Sequence, residues 1–156
     1  GKKMGKDFII PAAIIMLLAF AGGCISSSSQ SAAQFRTLHF TNLSLSVEMA
    51  TAPEKIETGL MGRTFLDERS GMLFDMSHAG LQSFWMYNTT IPLDAIFLDE
   101  NLSVVDIQSM APCASGEPRA CQIYTSRAPA RYVLEANAGF ASKNGIKLGD
   151  RAMLEN

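Results

Sequence analysis

The sequence predicts a β-rich α+β domain: a small closed or nearly closed barrel or sandwich of about seven short strands with two short helices. Three observations carry that expectation. Leu43 to Ala50 (LSLSVEMA) alternates apolar and polar residues along its whole length, the period of a half-buried strand. Asp94 to Asp99 is apolar in both alternating sets, Ile96 with Leu98 and Ala95 with Phe97, so that strand is covered on both faces. The remaining apolar runs are short and bounded by turn residues. A chain of 156 residues holds one domain of this kind.

Taken in order, Leu43 to Ala50 is the first strand. Thr51-Ala-Pro-Glu54 then reads as a capping box, with Pro53 in the first turn of a helix that runs to Met61 and stops at Gly62. Arg63 follows at the negative end of the helix dipole. Gly71 to Asp75 is a buried strand closed by the turn residues Ser77 to Gly80, and Gln82 to Met86 is the next strand. Pro92 makes Tyr87 to Pro92 an irregular crossing, because proline cannot donate to a ladder. Asp94 to Asp99 and Leu102 to Met110 form a hairpin around an acidic tip. Ala111 to Ser126 is loop, and Arg131 to Ala136 is a strand. Phe140 to Asn144 is a short helix ended by Gly145, and Arg151 to Leu154 is the last strand.

The N-terminus differs in composition. Lys2, Lys3 and Lys6 precede the apolar run Phe8 to Phe20, followed by Ala21-Gly22-Gly23-Cys24. This is the anatomy of a secretory signal, and as a helix of about 20 Å the run is too short for a ~30 Å hydrocarbon core. Ala-Gly-Gly-Cys resembles a bacterial lipobox, with Ala21 where that pattern prefers Leu. The resemblance implies that Cys24 becomes the lipidated first residue, and that the protein is anchored to the cell envelope, facing the periplasm or the exterior. In a Gram-negative source, Ile25 and Ser26 imply sorting to the outer membrane. The expected organisation is a signal over residues 1–23, a tether over 24–42 and one β-rich domain over 43–156.

With Lys2, Lys3, Lys6 and Asp7 removed, three positive charges and one negative leave, and the formal charge goes from −2 to −4. Nucleic acid needs a basic stripe, so it is not an expected partner. Cys113 and Cys121 are expected to form a disulfide in an exported protein; a redox pair would want the C-x-x-C spacing that is absent. Hydrolase and phosphate-loop motifs are absent, and neither a metal nor a cofactor is expected. His39 and His78 are too isolated to complete a zinc site with the cysteines, and Met61, Met72, Met76, Met86 and Met110 read as core filler. What remains is a constellation of Arg63, Trp85, Asn88, Asp94, Arg131 and Glu135. Trp85, Asn88 and Asp94 are expected to line one ligand site, with Arg131 pairing Asp94 or a ligand carboxylate; the bland alternative is buried structural pairing.

Several blocks in order carry a family resemblance: Gly59-Leu60-Met61-Gly62-Arg63, Gly71-Met72-Leu73-Phe74, Ser83-Phe84-Trp85-Met86 with Asn88-Thr89, and Ile91-Pro92-Leu93-Asp94. Pro112-Cys113, Cys121 with Tyr124, Ala130 to Glu135 and Gly145 to Asp150 continue it. From Leu43 to Leu154 the chain resembles the domain-of-unknown-function 192 family, with Tyr87 where the family often has Lys and Gln122 where it often has Pro. The resemblance implies a compact β-rich fold in an exported or membrane-linked protein, and no particular activity. The leading expectation is an envelope-anchored lipoprotein domain that binds a small polar or saccharide-like ligand, or a partner protein. The alternatives are a carboxylate-dependent enzyme on envelope saccharide and a purely structural envelope module.

Overall fold

The computed structural model describes residues 33–155; the expected signal, the lipobox and Cys24 lie outside them. The elements in chain order are β1 (Phe35–Phe40), β2 (Leu43–Ala50), α1 (Pro53–Thr58), β3 (Ser70–Gly80), β4 (Ser83–Trp85), β5 (Leu93–Leu98) and β6 (Val104–Met110). A single 3-10 turn over 118–120 then leads to β7 (Ile123–Thr125), β8 (Ala130–Asn137), α2 (Phe140–Lys143) and β9 (Met153–Glu155).

Seven strands form one sheet in the order β6-β5-β8-β3-β2-β1-β9, and β4 pairs with β7 as a separate two-stranded ribbon. Only β2 and β3 run parallel among these pairs. The sheet is not closed by a continuous ladder, but its two ends approach each other. Ser103 bridges Arg151, and the Val104 and Ala152 N–H groups donate to Asp150 O (2.8 Å) and Leu102 O (2.9 Å).

Successive side chains of a strand point to opposite faces, and here both faces are covered. All six residues of β5 are buried. Ile96 and Leu98 join Leu45, Leu73, Leu134 and Phe140 in one apolar cluster, on the side of α2. Leu93, Ala95 and Phe97 join Met72, Phe74, Phe84 and Val133 in the other. That second cluster lies beneath the ribbon and the loop after α1, which contribute Phe84, Tyr124, Leu60 and Leu66.

Several local expectations are corrected. The domain begins before residue 43: β1 pairs along its length with β2, in the stretch expected to be tether. Among the described residues the strands number nine, because β1 and β7 both fall where loop or tether was expected. The helix ends at Thr58 rather than Met61, and its N-cap is Ala52 with no side-chain cap, so no capping box forms at Thr51. Ser77 to Gly80 belong to β3, although the ladder is irregular between Asp75 and Gly80 and Ser77 takes φ 62°. The hairpin tip is held by Asp99, whose Oδ1 accepts from the N–H groups of Asn101 (2.8 Å) and Ser103 (2.9 Å). The Cys113–Cys121 disulfide is present, with a Cα–Cα separation of 5.4 Å, and ties the loop between β6 and β7.

Candidate functional site

Glu135 lies in the middle of β8 with Met72 of β3 and Ala95 of β5 as its cross-strand neighbours. Its face is therefore that of the second cluster. A strand position flanked by Leu134 and Ala136 ordinarily takes an apolar residue; here it takes a carboxyl group that is only 4% exposed. Among the described residues none donates a hydrogen bond to this carboxyl or forms an ion pair with it. Burial alone pushes its pKa up from 4.5 to about 8, so at neutral pH the group carries its proton.

The carboxyl opens on a cavity of about 200 Å³. One wall is the end of α1 and the loop after it, from Ile56 to Met61; the opposite wall is Ser83, Phe84 and Trp85 of β4. Phe74 and Met76 of β3 complete the interior. Gly59 permits the close approach of the loop. It takes φ 49°, and a Cβ there would stand 3.3 Å from the Phe74 ring and 4.0 Å from Glu135 Oε2. Phe84 packs edge-on to Phe74, with ring centroids 5.0 Å apart, fixing the inner wall. Trp85 is half-buried, and its ring meets Tyr87 at 5.5 Å with a tilt of 40°.

Of the residues expected to form one site, the structure brings Trp85 and Glu135 to this cavity and distributes the others around or away from it. Asn88 is exposed, in the left-handed region at φ 52°, and its carbonyl accepts from Gly62 N–H at 2.9 Å. The Thr90 hydroxyl donates to Arg63 O at 3.1 Å, so these two loops are stitched together beside the cavity. The Arg63 guanidinium itself pairs with Glu48, as does Lys55, instead of serving the helix end. Burial raises the Glu48 pKa, but the two cations outweigh it and hold that carboxylate below its usual range.

Asp94 does not line the cavity, and Arg131 does not pair with it. Asp94 is 2% exposed; its Oδ1 accepts from the Ser109 hydroxyl (2.7 Å) and its Oδ2 from Ala141 N–H (3.0 Å). It therefore fastens α2 to the sheet. Arg131 instead makes two bonds to Asp75, Nε to Oδ1 at 3.2 Å and a terminal nitrogen to Oδ2 at 3.3 Å, and lies 4.9 Å over the Tyr132 ring. A further buried carboxylate, Asp106, is held by Arg127 and Gln108. Burial raises its pKa, yet these bonds prevail and leave it at about 2.

Gly59, Phe74, Met61 and Met76 were not expected at a site. The signal for Gly59 and Met61 was the Gly-Leu-Met-Gly-Arg block, whose first glycine has a backbone conformation that L side chains seldom adopt, and for Phe74 the Gly-Met-Leu-Phe block; Met76 carried no signal. A larger open groove of about 860 Å³ runs past His39, Arg69, Arg151 and Glu155. None of those charged side chains is buried, and His39 already bonds Ser44 and Glu155. The Glu135 cavity is thus the better candidate.

Comparison with known proteins places this architecture. The profile of the DUF192 family, described as "Uncharacterized ACR", matches residues 36–154. The UPF0127 protein PH1112 of Pyrococcus horikoshii is 30% identical over 115 residues, covering 70% of this chain and 90% of that protein. A candidate transcription regulator from Sinorhizobium meliloti has a crystal structure similar at TM-score 0.71 and 30% identity, over 79% of this chain and 95% of its own. A protein of unknown function from Novosphingobium aromaticivorans is similar at TM-score 0.63 and 32% identity, over 78% and 84%. Four of the sequence blocks named above, around Gly59, Phe74, Trp85 and Glu135, are the ones that wall the cavity. On profile, sequence and structure together, this chain belongs to the DUF192 family.

Proposed function

We propose that this is a small-molecule-binding domain held at the cell envelope by a lipid on Cys24, with the Glu135 cavity as its binding site. The observation that carries the reading is the solitary Glu135 carboxyl, in a residue only 4% exposed, without a protein partner and with its oxygens reaching a cavity rimmed by Trp85. Burying a polar group with no partner costs free energy, and natural folds tolerate such a cost at functional sites. The same feature disfavours a purely structural module, whose interior polar groups would be mutually satisfied. The carboxylate-enzyme alternative is not favoured, because Asp94 and Asp106 are both engaged in structural bonds.

The envelope part of the proposal draws on the basic, apolar and Ala-Gly-Gly-Cys succession of the leader. It draws also on the Cys113–Cys121 disulfide, since such bonds persist in oxidising compartments. Nucleic acid is not proposed as a partner of an acidic domain, whatever the description of the Sinorhizobium relative.

The binding test is a titration of the purified domain with a panel of monosaccharides, amides and small amines, followed by the fluorescence of Trp85, the only tryptophan. At least one member should shift the emission of the wild type and fail to do so in Glu135→Gln. A panel that leaves Trp85 unmoved, or acts equally on the variant, would overturn the reading. For the anchor, Cys24→Ser should accumulate as a lipid-free precursor that retains its leader; normal processing of that variant would end the lipid assignment.

A further inference from the structure

The chemistry of the cavity wall narrows the ligand class, and this step rests on the binding reading above. Among the described residues that line the cavity, none is cationic. The two ionisable ones are both acidic: Glu135 in the interior and Glu57, exposed at the end of α1. Three aromatic rings, Phe74, Phe84 and Trp85, contribute to the wall. Aromatic faces carry negative potential and attract cations, and thioethers such as those of Met61 and Met76 are soft, polarizable neighbours. An anion would meet two carboxyl groups and no counter-charge. A cation would meet a carboxyl, aromatic side chains and no competing cation.

We propose that the Glu135 cavity is a site for a small organic cation, an aliphatic ammonium group or its N-methylated form. The fixed cations nearby are already committed: Lys55 and Arg63 to Glu48 on β2, and Arg131 to Asp75 on β3. On β5, Asp94 is bound by Ser109 and Ala141. The ligand's charge is therefore the counter-ion that Glu135 lacks. The volume of about 200 Å³ restricts the guest to a single small head group.

Entry of the cation ionises Glu135. The carboxyl O–H bond breaks, its proton leaves to solvent, and the resulting carboxylate faces the ammonium. One proton is released for each cation bound. Affinity therefore climbs tenfold for each pH unit while the free carboxyl is protonated, and levels off once it is ionised. Above that point no proton is exchanged.

The test uses choline and methylammonium as probes and dimethylbutanol as the uncharged carbon isostere of choline. Binding is followed by Trp85 fluorescence, and proton release by calorimetry in two buffers of different ionisation enthalpy. The expected result is that at least one cation binds with the tenfold-per-unit rise and one released proton, and that Glu135→Gln loses this while remaining folded. If dimethylbutanol binds as well as choline, with affinity that falls as pH rises, the cation assignment is overturned while the binding site stands. If no probe and no member of the wider panel binds, both readings fall. Binding of cations that is unchanged in Glu135→Gln would place their site elsewhere and also overturn the proposal.

Discussion

Glu135→Gln is expected to stabilise the domain near neutral pH, the reverse of what loss of a buried charged partner does. In the unfolded chain a glutamate ionises around 4.5, whereas in the fold this one holds its proton to about 8. Between those values the folded state binds more protons, so its stability is full below the lower value and falls as pH rises through the window. The loss is on the order of a few kcal/mol. Thermal melts across that range should slope downward for the wild type and be flat for Glu135→Gln. A variant that melts lower than the wild type at pH 8 would mean that the carboxyl has a structural partner. Substitution at Asp94 should destabilise instead. Asp94→Asn loses acceptor capacity toward Ser109 or Ala141, and because both partners are neutral the cost is about 1–3 kcal/mol. Ligand binding at Trp85 should survive that substitution.

At the scale of elements, the loop after α1 is the wall most open to test. Gly59→Ala adds a Cβ 3.3 Å from the Phe74 ring and forces alanine into φ 49°. It should cost about 1–3 kcal/mol and alter Trp85 fluorescence, because the loop or the Phe74 ring in the cavity wall must give way. A melt and an emission spectrum unchanged from wild type would show that the loop does not pack as described. The disulfide ties a different loop. Replacing both Cys113 and Cys121 by Ser should lower stability by about 2–3 kcal/mol, read as a shift in denaturation midpoint, with the β4–β7 ribbon loosened before the main sheet. Element by element, the sequence was readable where the pattern was local. Leu43–Ala50 became β2 with the same bounds, although from Val47 onward both faces are buried, and the double apolar pattern of 94–99 marked β5 as the strand buried throughout. β1 and β7 were hidden for physical reasons. Phe35–Phe40 follows a serine-rich stretch and lies beside β9 near one end of the sheet, so its burial is incomplete; Ile123–Thr125 is three residues inside a stretch punctuated by Pro112, Cys113, Gly116, Pro118 and Cys121. The missing cap at Thr51 belongs here too, since a capping box states a competence that the backbone need not use.

Across the whole molecule, what no local pattern reveals is strand order. The insertion of β8 between β3 and β5 brings Glu135 beneath Trp85, fifty positions earlier in the chain. Both residues stood out as types, a lone tryptophan and a glutamate inside an apolar run, but their meeting is a product of topology. The same topology sent Asp94 to α2 and Arg131 to Asp75, so a constellation legible as six residues resolved into one cavity and several structural pairs. Charge at this scale also shapes the acid limb of stability. Asp106 and Glu48 are held below their usual pKa, so their contribution is present above the ordinary carboxylate range and is lost as pH falls through their folded values, about 2 for Asp106. Together with the descending limb from Glu135, this places maximal stability on the mildly acidic side of neutrality, and denaturation midpoints measured across pH should peak there. Arg127→Ala should lower stability at neutral pH and flatten the acid limb, because Asp106, left with fewer bonds to oppose its burial, would be held less far below its usual pKa.

The most direct measurement of the central claim is the titration of Glu135 itself, followed by the side-chain carboxyl carbon resonance in labelled, ligand-free domain. A largely buried carboxyl without a protein partner, facing the cavity, should titrate at about 8, with the Trp85 indole signal shifting at the same midpoint. Saturating choline or methylammonium should then pull that midpoint down towards the ordinary glutamate range. A midpoint near 4.5 in the free protein, indifferent to either cation, would contradict the account.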